Sequence, residues 1–173
     1  MKSMIALFAA TAALGLSAPA LAADAPTDPQ IAHIAYTAGN IDIAAAKQAL
    51  AKTHNKAVRS FAQQMVRDHQ AVNAKALALV QKLHVTPQDN PTSEALSKGA
   101  NEELAKLSKL SGPAYDRAYI DNEVAYHKTV NGALEKVLIP SAKNAELKSL
   151  LETGLTLFKE HQAHAEQVAK ELK

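Results

Sequence analysis

Residues 120–137 read Ile120-Asp121-Asn122-Glu123-Val124-Ala125-Tyr126-His127-Lys128-Thr129-Val130-Asn131-Gly132-Ala133-Leu134-Glu135-Lys136-Val137, and this stretch decides the fold. Ile120, Glu123, His127, Val130, Leu134 and Val137 follow one another in alternating steps of three and four. That spacing marks one face of an α-helix. The stretch therefore predicts a long helix whose buried stripe carries a carboxylate and an imidazole where leucine is expected.

Three other segments repeat the pattern. One face of residues 56–83 carries Val58, Phe61 or Ala62, Met65, His69, Val72 and Ala76. Residues 145–172 place Leu147, Leu150 or Leu151, Gly154, Leu157 or Phe158, His161, His164 or Ala165, and Val168 on a face. Residues 28–52 offer Ile31, Ala35, Ala38, Asp42, Ala45 and Ala49. No segment has the strict apolar–polar alternation of a half-buried strand, so the fold class is all-α.

Punctuation sets the boundaries. Thr27-Asp28-Pro29-Gln30 combines a capping threonine, a first-turn proline and a capping-box glutamine, predicting a helix to about Lys52. Thr53-His54-Asn55 interrupts, and Asn55 caps a second helix reaching about Leu83. Residues 85–91 form a breaker cluster with two prolines. A shorter amphipathic helix follows from about Ser93 to Leu110, with Leu96, Leu104, Leu107 and Leu110 on one side. Ser111-Gly112-Pro113 opens a third long helix, which Pro140 is expected to end near Leu138, and Asn144 caps a fourth. Four helices of this length predict a four-helix bundle with an extra helix in the connection between the second and third. That connection is long enough for a crossover along the bundle or for a folded-over cap.

A chain of 173 residues with 47% apolar and 21% charged residues suits one soluble domain. The formal charge of +2 is spread along the chain without a basic block, which argues against a nucleic-acid partner. Cysteine is absent, excluding disulfides, thiolate metal sites and cysteine nucleophiles. Met1-Lys2, the apolar run from Met4 to Leu16 and the small residues Ala20-Leu21-Ala22 have the three-part anatomy of a secretory signal peptide. The expectation is a signal peptide over 1–22, a bundle domain over 23–173 and a periplasmic location. The apolar run falls short of the roughly 20 residues that span a bilayer, so no membrane span is expected in the mature form.

Burying a carboxylate and several imidazoles costs several kcal/mol unless they are paired or bind a cation. Glu123 and His127 are four apart and His161 and His164 three apart, so each pair shares a helix face. At about 1.5 Å per residue, Asp42, Met65, His69, Glu123, His127, His161 and His164 fall near mid-height of their helices. The candidate metal ligands are His69, Glu123, His127 and His161, with Asp42 and His164 as contributors. Met65 is weighed as a soft copper ligand and read as core filling. Asp68, off the stripe but beside His69, is read as a supporting or surface residue. His33, His54 and His84 lie near helix ends and are expected in solvent.

The segment Phe61-Ala62-Gln63-Gln64-Met65-Val66-Arg67-Asp68-His69 resembles the second-helix motif of the bacterial domain of unknown function 4142 family. Tyr115-Asp116-Arg117-Ala118-Tyr119-Ile120 through Glu123 and His127, and Phe158-Lys159-Glu160-His161, resemble its second half. The resemblance implies a secreted, ferritin-like helical bundle and leaves its biochemical role open. The di-iron pattern of ferritin-like proteins wants Glu-x-x-His on two helices. Here Glu123 and His127 are four apart, and Val66 and Phe158 stand three before His69 and His161. An imidazole-rich, carboxylate-poor set favours one zinc or copper ion, with iron or manganese as further candidates.

The leading functional expectation is therefore a periplasmic protein that binds a transition-metal ion in its core, for metal handling or envelope stress tolerance. A metal-dependent oxidoreductase of ferritin-like type is the second reading. A metal-free envelope interaction module is the third, with its protein partner left open.

Overall fold

The computed structural model describes residues 25–172. The signal-peptide reading of residues 1–22 lies outside the described residues. Helix α1 (Asp28–Lys52) begins as its punctuation predicts, with the Thr27 N–H donating to Gln30 Oε1 at 3.0 Å. Helix α2 (Lys56–Lys82) is capped by Asn55 Oδ1, which accepts from the N–H groups of Ala57 and Val58 at 2.9 and 3.2 Å. Helix α3 (Pro91–Ser108) starts two residues before the expected position. Pro91 opens this helix rather than breaking the chain, because the first turn needs no N–H and proline presets its φ. Asn90 caps it, accepting from the Ser93 N–H at 3.1 Å.

Helix α4 (Gly112–Ala133) runs into a π-helical turn (Leu134–Leu138) and then a short helix α5 (Ile139–Ser141). The helical path thus continues through Pro140, beyond the expected end at Leu138. The π turn makes this passage available: the Ile139 N–H reaches back to Leu134 O, and the wider turn gives the proline ring room against the preceding carbonyls. It also slips the stripe by one position. Val137, expected inward, is 45% exposed, while Leu138 is 6% exposed. Helix α6 (Ala145–Glu171) is capped by Asn144 Oδ1, which accepts from Glu146 and Leu147.

Side-chain ties reveal the directions of the helices. The Gln88 N–H donates to Pro29 O at 3.0 Å, fixing the approach to α3 beside the start of α1. Near the other end of α1, Gln48 Nε2 donates to Leu104 O at 3.0 Å, and Lys52 Nζ donates to Ser108 O and Leu110 O, each at 2.8 Å. Helix α3 therefore runs along α1 and returns the chain to the α1–α2 turn. Of the two connections open to the sequence, the crossover is the one formed. Helix α4 descends from there and α6 rises again, its entry held by Asp28, whose carboxylate accepts from the N–H groups of Lys143 and Asn144 at 2.8 Å each. Helix α1 packs on α2 and α4, and α6 packs on the other sides of the same two helices.

The core has two apolar blocks. One, toward the α1–α2 turn, contains Ala45, Ala49, Phe61, Met65, Tyr119 and Ile120. The other, toward the opposite end, contains Ile31, Ile34, Leu134, Leu147, Leu151 and Phe158. On each of α1, α2, α4 and α6, buried acidic or imidazole residues lie between the positions given to the two blocks. Among the described residues all regular structure is helical, and no helix is long and apolar enough to cross a membrane.

Candidate metal centre

Each of the four long helices places at least one ionisable group in this middle layer. Asp42 comes from α1, His69 from α2, Glu123 and His127 from α4, and His161 from α6, and none is more than 3% exposed. Asp42 Oδ2 lies 3.3 Å from His69 Nε2 and 3.4 Å from His127 Nε2. The edge of a tetrahedron around an ion with bonds of about 2.0 Å is about 3.3 Å. One ligand atom from each of His69, His127 and His161 also falls within 4.8 Å of the other two, as do atoms of Asp42, Glu123 and His127.

Groups behind the rings decide which nitrogens face the cluster. His127 Nδ1 is 3.1 Å from the backbone oxygen of Glu123, one turn earlier. A carbonyl only accepts, so Nδ1 carries the proton and Nε2 presents a lone pair to the layer. His161 Nε2 is 3.0 Å from Asp68 Oδ2, which leaves Nδ1 free on the inner side. Asp68 thus orients the imidazole from outside, an arrangement also found behind histidines that bind metals in other proteins. The His69 ring is stacked on Phe158, with centroids 4.8 Å apart and planes 10° from parallel.

Burial dominates the electrostatics. It raises Asp42 from 3.8 to about 8, and it pushes Glu123 well above the usual carboxylate range, with the Asp42 charge adding to the effect. His69 is lowered to about 2 by burial and then by the neighbouring imidazoles of His127 and His161. His127 falls to about 4 by burial and by His161. Burial also lowers His161, although Asp68 opposes the shift. Without a cation, the layer is pushed toward neutral imidazoles and protonated carboxyls.

The layer is also short of partners. Both carboxylate oxygens of Asp42, both ring nitrogens of His69, Glu123 Oε2, His127 Nε2 and His161 Nδ1 are buried without a hydrogen bond among the described residues. Seven orphan atoms in one place run against the rule that buried polar groups are satisfied. A divalent ion would satisfy acceptors from all four helices at once.

Of the six candidate ligands, Asp42, His69, Glu123, His127 and His161 come together. His164 does not: it lies half-buried one turn from the layer, its Nδ1 donating to Gln64 Oε1 at 2.8 Å and its ring edge-on to Phe61. A spacing of three offsets His164 from His161 by enough to reach the α2–α6 seam instead of the centre. Met65 packs in the apolar block with Phe61. His54 and His84 are exposed as expected, but His33 is only half-exposed and faces Asp89 at 3.6 Å.

Sequence reading missed two polar supports one turn from the histidines. Asn73 donates to Asn40 Oδ1 at 2.9 Å and lies against the backbone of Gly39. Asn131 donates to Phe158 O and to Gln162 Oε1. Both asparagines fall four residues after a candidate histidine, a spacing that marked them as neighbours on the same stripe.

The fold and the layer define an all-α protein with an acid–imidazole cluster at its centre. A family model described as Domain of unknown function (DUF4142) matches residues 13–168, and the chain belongs to that family. No curated protein and no solved structure matches the chain.

Proposed function

We propose that the protein is a secreted, periplasmic four-helix bundle of ferritin-like type that binds one transition-metal ion in its core. Asp42, His69, His127 and His161 are its ligands, with Glu123 behind His127. Two antiparallel pairs joined by a crossover helix support the ferritin-like reading. The carrying observation is the convergence of unpartnered buried donor atoms from four helices, with Asp42 Oδ2 at 3.3 and 3.4 Å from two imidazole nitrogens. Three imidazoles and one carboxylate suit zinc or copper before iron or manganese. Metal handling or envelope stress tolerance is the role this chemistry serves.

The test is elemental analysis of the full chain purified without a histidine tag or chelator. About one equivalent of metal is expected, with a rise in Tm on adding zinc or copper. The pair His127→Ala and His161→Ala should remove both. A folded wild-type chain that takes up neither ion, with Tm unchanged, would overturn the proposal.

A second reading, a metal-dependent oxidoreductase, is favoured by one observation. His69 and His127 form part of the wall of a cavity of about 800 Å³, a route by which a substrate could reach the ion. Turnover of oxygen or peroxide by the iron-loaded chain, absent in His127→Ala, would promote it.

A further inference from the structure

That cavity lies among α1, α2, α4 and α6, on the side of the polar layer toward the start of α1. Its wall is mainly aliphatic, and small side chains such as Ala35, Ala38, Ala76 and Ala133 stand where larger ones would close it. Each of those four alanines is half-exposed, although the stripe pattern turns Ala35, Ala38 and Ala76 inward. The space is partly open to solvent, so its carbon-lined wall is left facing water, and an apolar occupant would be stabilised by covering it. Water finds few polar partners on such a wall. The volume falls within the usual range of small-molecule sites, about 300–1,000 Å³.

Shape and charge narrow the occupant. The aromatic residues of the wall, Phe158 and Tyr126, share the wall with the two histidines, and the rest of the apolar lining is aliphatic. Among the described residues the lining holds no aspartate or glutamate, and the lysine among them is Lys136 on the exposed side of the π turn. Four of the five π-turn residues, Leu134, Lys136, Val137 and Leu138, belong to the lining, and Val137 leaves an apolar rim 45% exposed. A helical rise puts Lys136 about 13 Å along the chain path from His127, the length of an extended chain of about ten to twelve carbons.

We infer that the cavity binds a chain-shaped aliphatic carboxylate, its tail running inward to His69 and His127 and its carboxylate at the rim beside Lys136. The inference goes beyond the metal reading and requires no ion.

The test titrates the full chain, in chelator, with dodecanoate, hexanoate and dodecanol, read by calorimetry and by displacement of an apolar fluorescent probe. Dodecanoate should bind near one per chain and at least about 100-fold more tightly than hexanoate, because each buried methylene adds to affinity. Ala76→Leu with Ala133→Leu should weaken dodecanoate at least about tenfold while keeping the helical signal and Tm. Lys136→Glu should weaken dodecanoate about fivefold or more and leave dodecanol unchanged. Absent binding, many molecules bound per chain, or no dependence on chain length would overturn the inference, and all three are read on the wild-type chain. Unchanged affinity in a folded, filled variant would overturn it too, and equal effects of Lys136→Glu on both ligands would overturn the head-group placement. Because chelator is present throughout, failure here is separable from failure to bind metal.

Discussion

Asp68 Oδ2 meets His161 Nε2 at 3.0 Å, from a carboxylate whose side chain is one-quarter exposed to an imidazole that is fully buried. The contact spans α2 to α6 and leaves His161 Nδ1 turned toward the core. An outer carboxylate of this kind sets ring orientation and basicity, and its loss typically costs 10–100-fold in metal affinity. Asp68→Ala is therefore expected to weaken zinc binding by about that factor, and Asp68→Asn by about tenfold, with the helical fold intact. Chelator competition measures both. Affinities equal to wild type would remove Asp68 from the site.

The pH dependence of the metal-free chain follows from opposing groups. Asp42 ionises at about 8 when folded and 3.8 when unfolded, so its contribution is full below 3.8 and is lost as pH rises through 8. Glu123 shifts in the same direction. The imidazoles of His69, His127 and His161 are lowered, so their contribution is full above 6.5 and is lost as pH falls toward 4 and 2. Between pH 6.5 and 8 only the carboxyls still count. In chelator, stability should fall there by up to ~1.4 kcal/mol per pH unit per group. Zinc affinity should rise over the same window, because the ion displaces the proton. Tm measured from pH 6.5 to 8.5, with chelator and with zinc, gives both slopes; a flat profile in chelator would contradict the electrostatics.

Asp42→Asn keeps the shape and removes the group that must be held protonated. At pH 8 the metal-free variant should be at least about 1 kcal/mol more stable than wild type, with a shallower slope above pH 6.5. It should also lose zinc binding by about 100-fold or more, since Asp42 Oδ2 sits beside the Nε2 atoms of His69 and His127. Greater stability with less binding separates a binding residue from a structural one. Denaturant melts at pH 6.5 and 8 with chelator, together with zinc titration, measure the two effects.

Gly39 sits where α1 and α2 approach closely. A Cβ built there would lie 2.3 Å from Asn73 Oδ1, in a side chain that is 6% exposed and bonded to Asn40. Alanine gains about 1 kcal/mol of helix propensity over glycine. Displacing a buried, hydrogen-bonded amide costs about 1–3 kcal/mol. Gly39→Ala is thus expected to destabilise the chain by about 1 kcal/mol, and adding Asn73→Ala should recover most of it. A denaturant double-mutant cycle checks the coupling.

Local chemistry was readable along the chain. Thr27 with Gln30, Asn55 and Asn144 start their helices at the expected places, because capping depends on a few neighbouring residues. Periodicity also turned Asp42, His69, Glu123, His127 and His161 inward, since every residue of a helix face shares one neighbour. Where a second rule competed, the reading drifted. Pro91 opens a helix instead of breaking one, and the π turn before Pro140 moves Val137 out and Leu138 in.

The sequence by itself determined an all-α chain of four long helices and a shorter one, with ligand-type residues at a common height. Only the tertiary structure decided the crossover, the separation of His164 from the layer and the pairing of Asp68 with His161. It also revealed the cavity between the alanine-lined faces. The physical reason is range. Caps and stripes arise from contacts within a few residues, whereas a void or an inter-helix ion pair depends on which helices face each other and at what rotation.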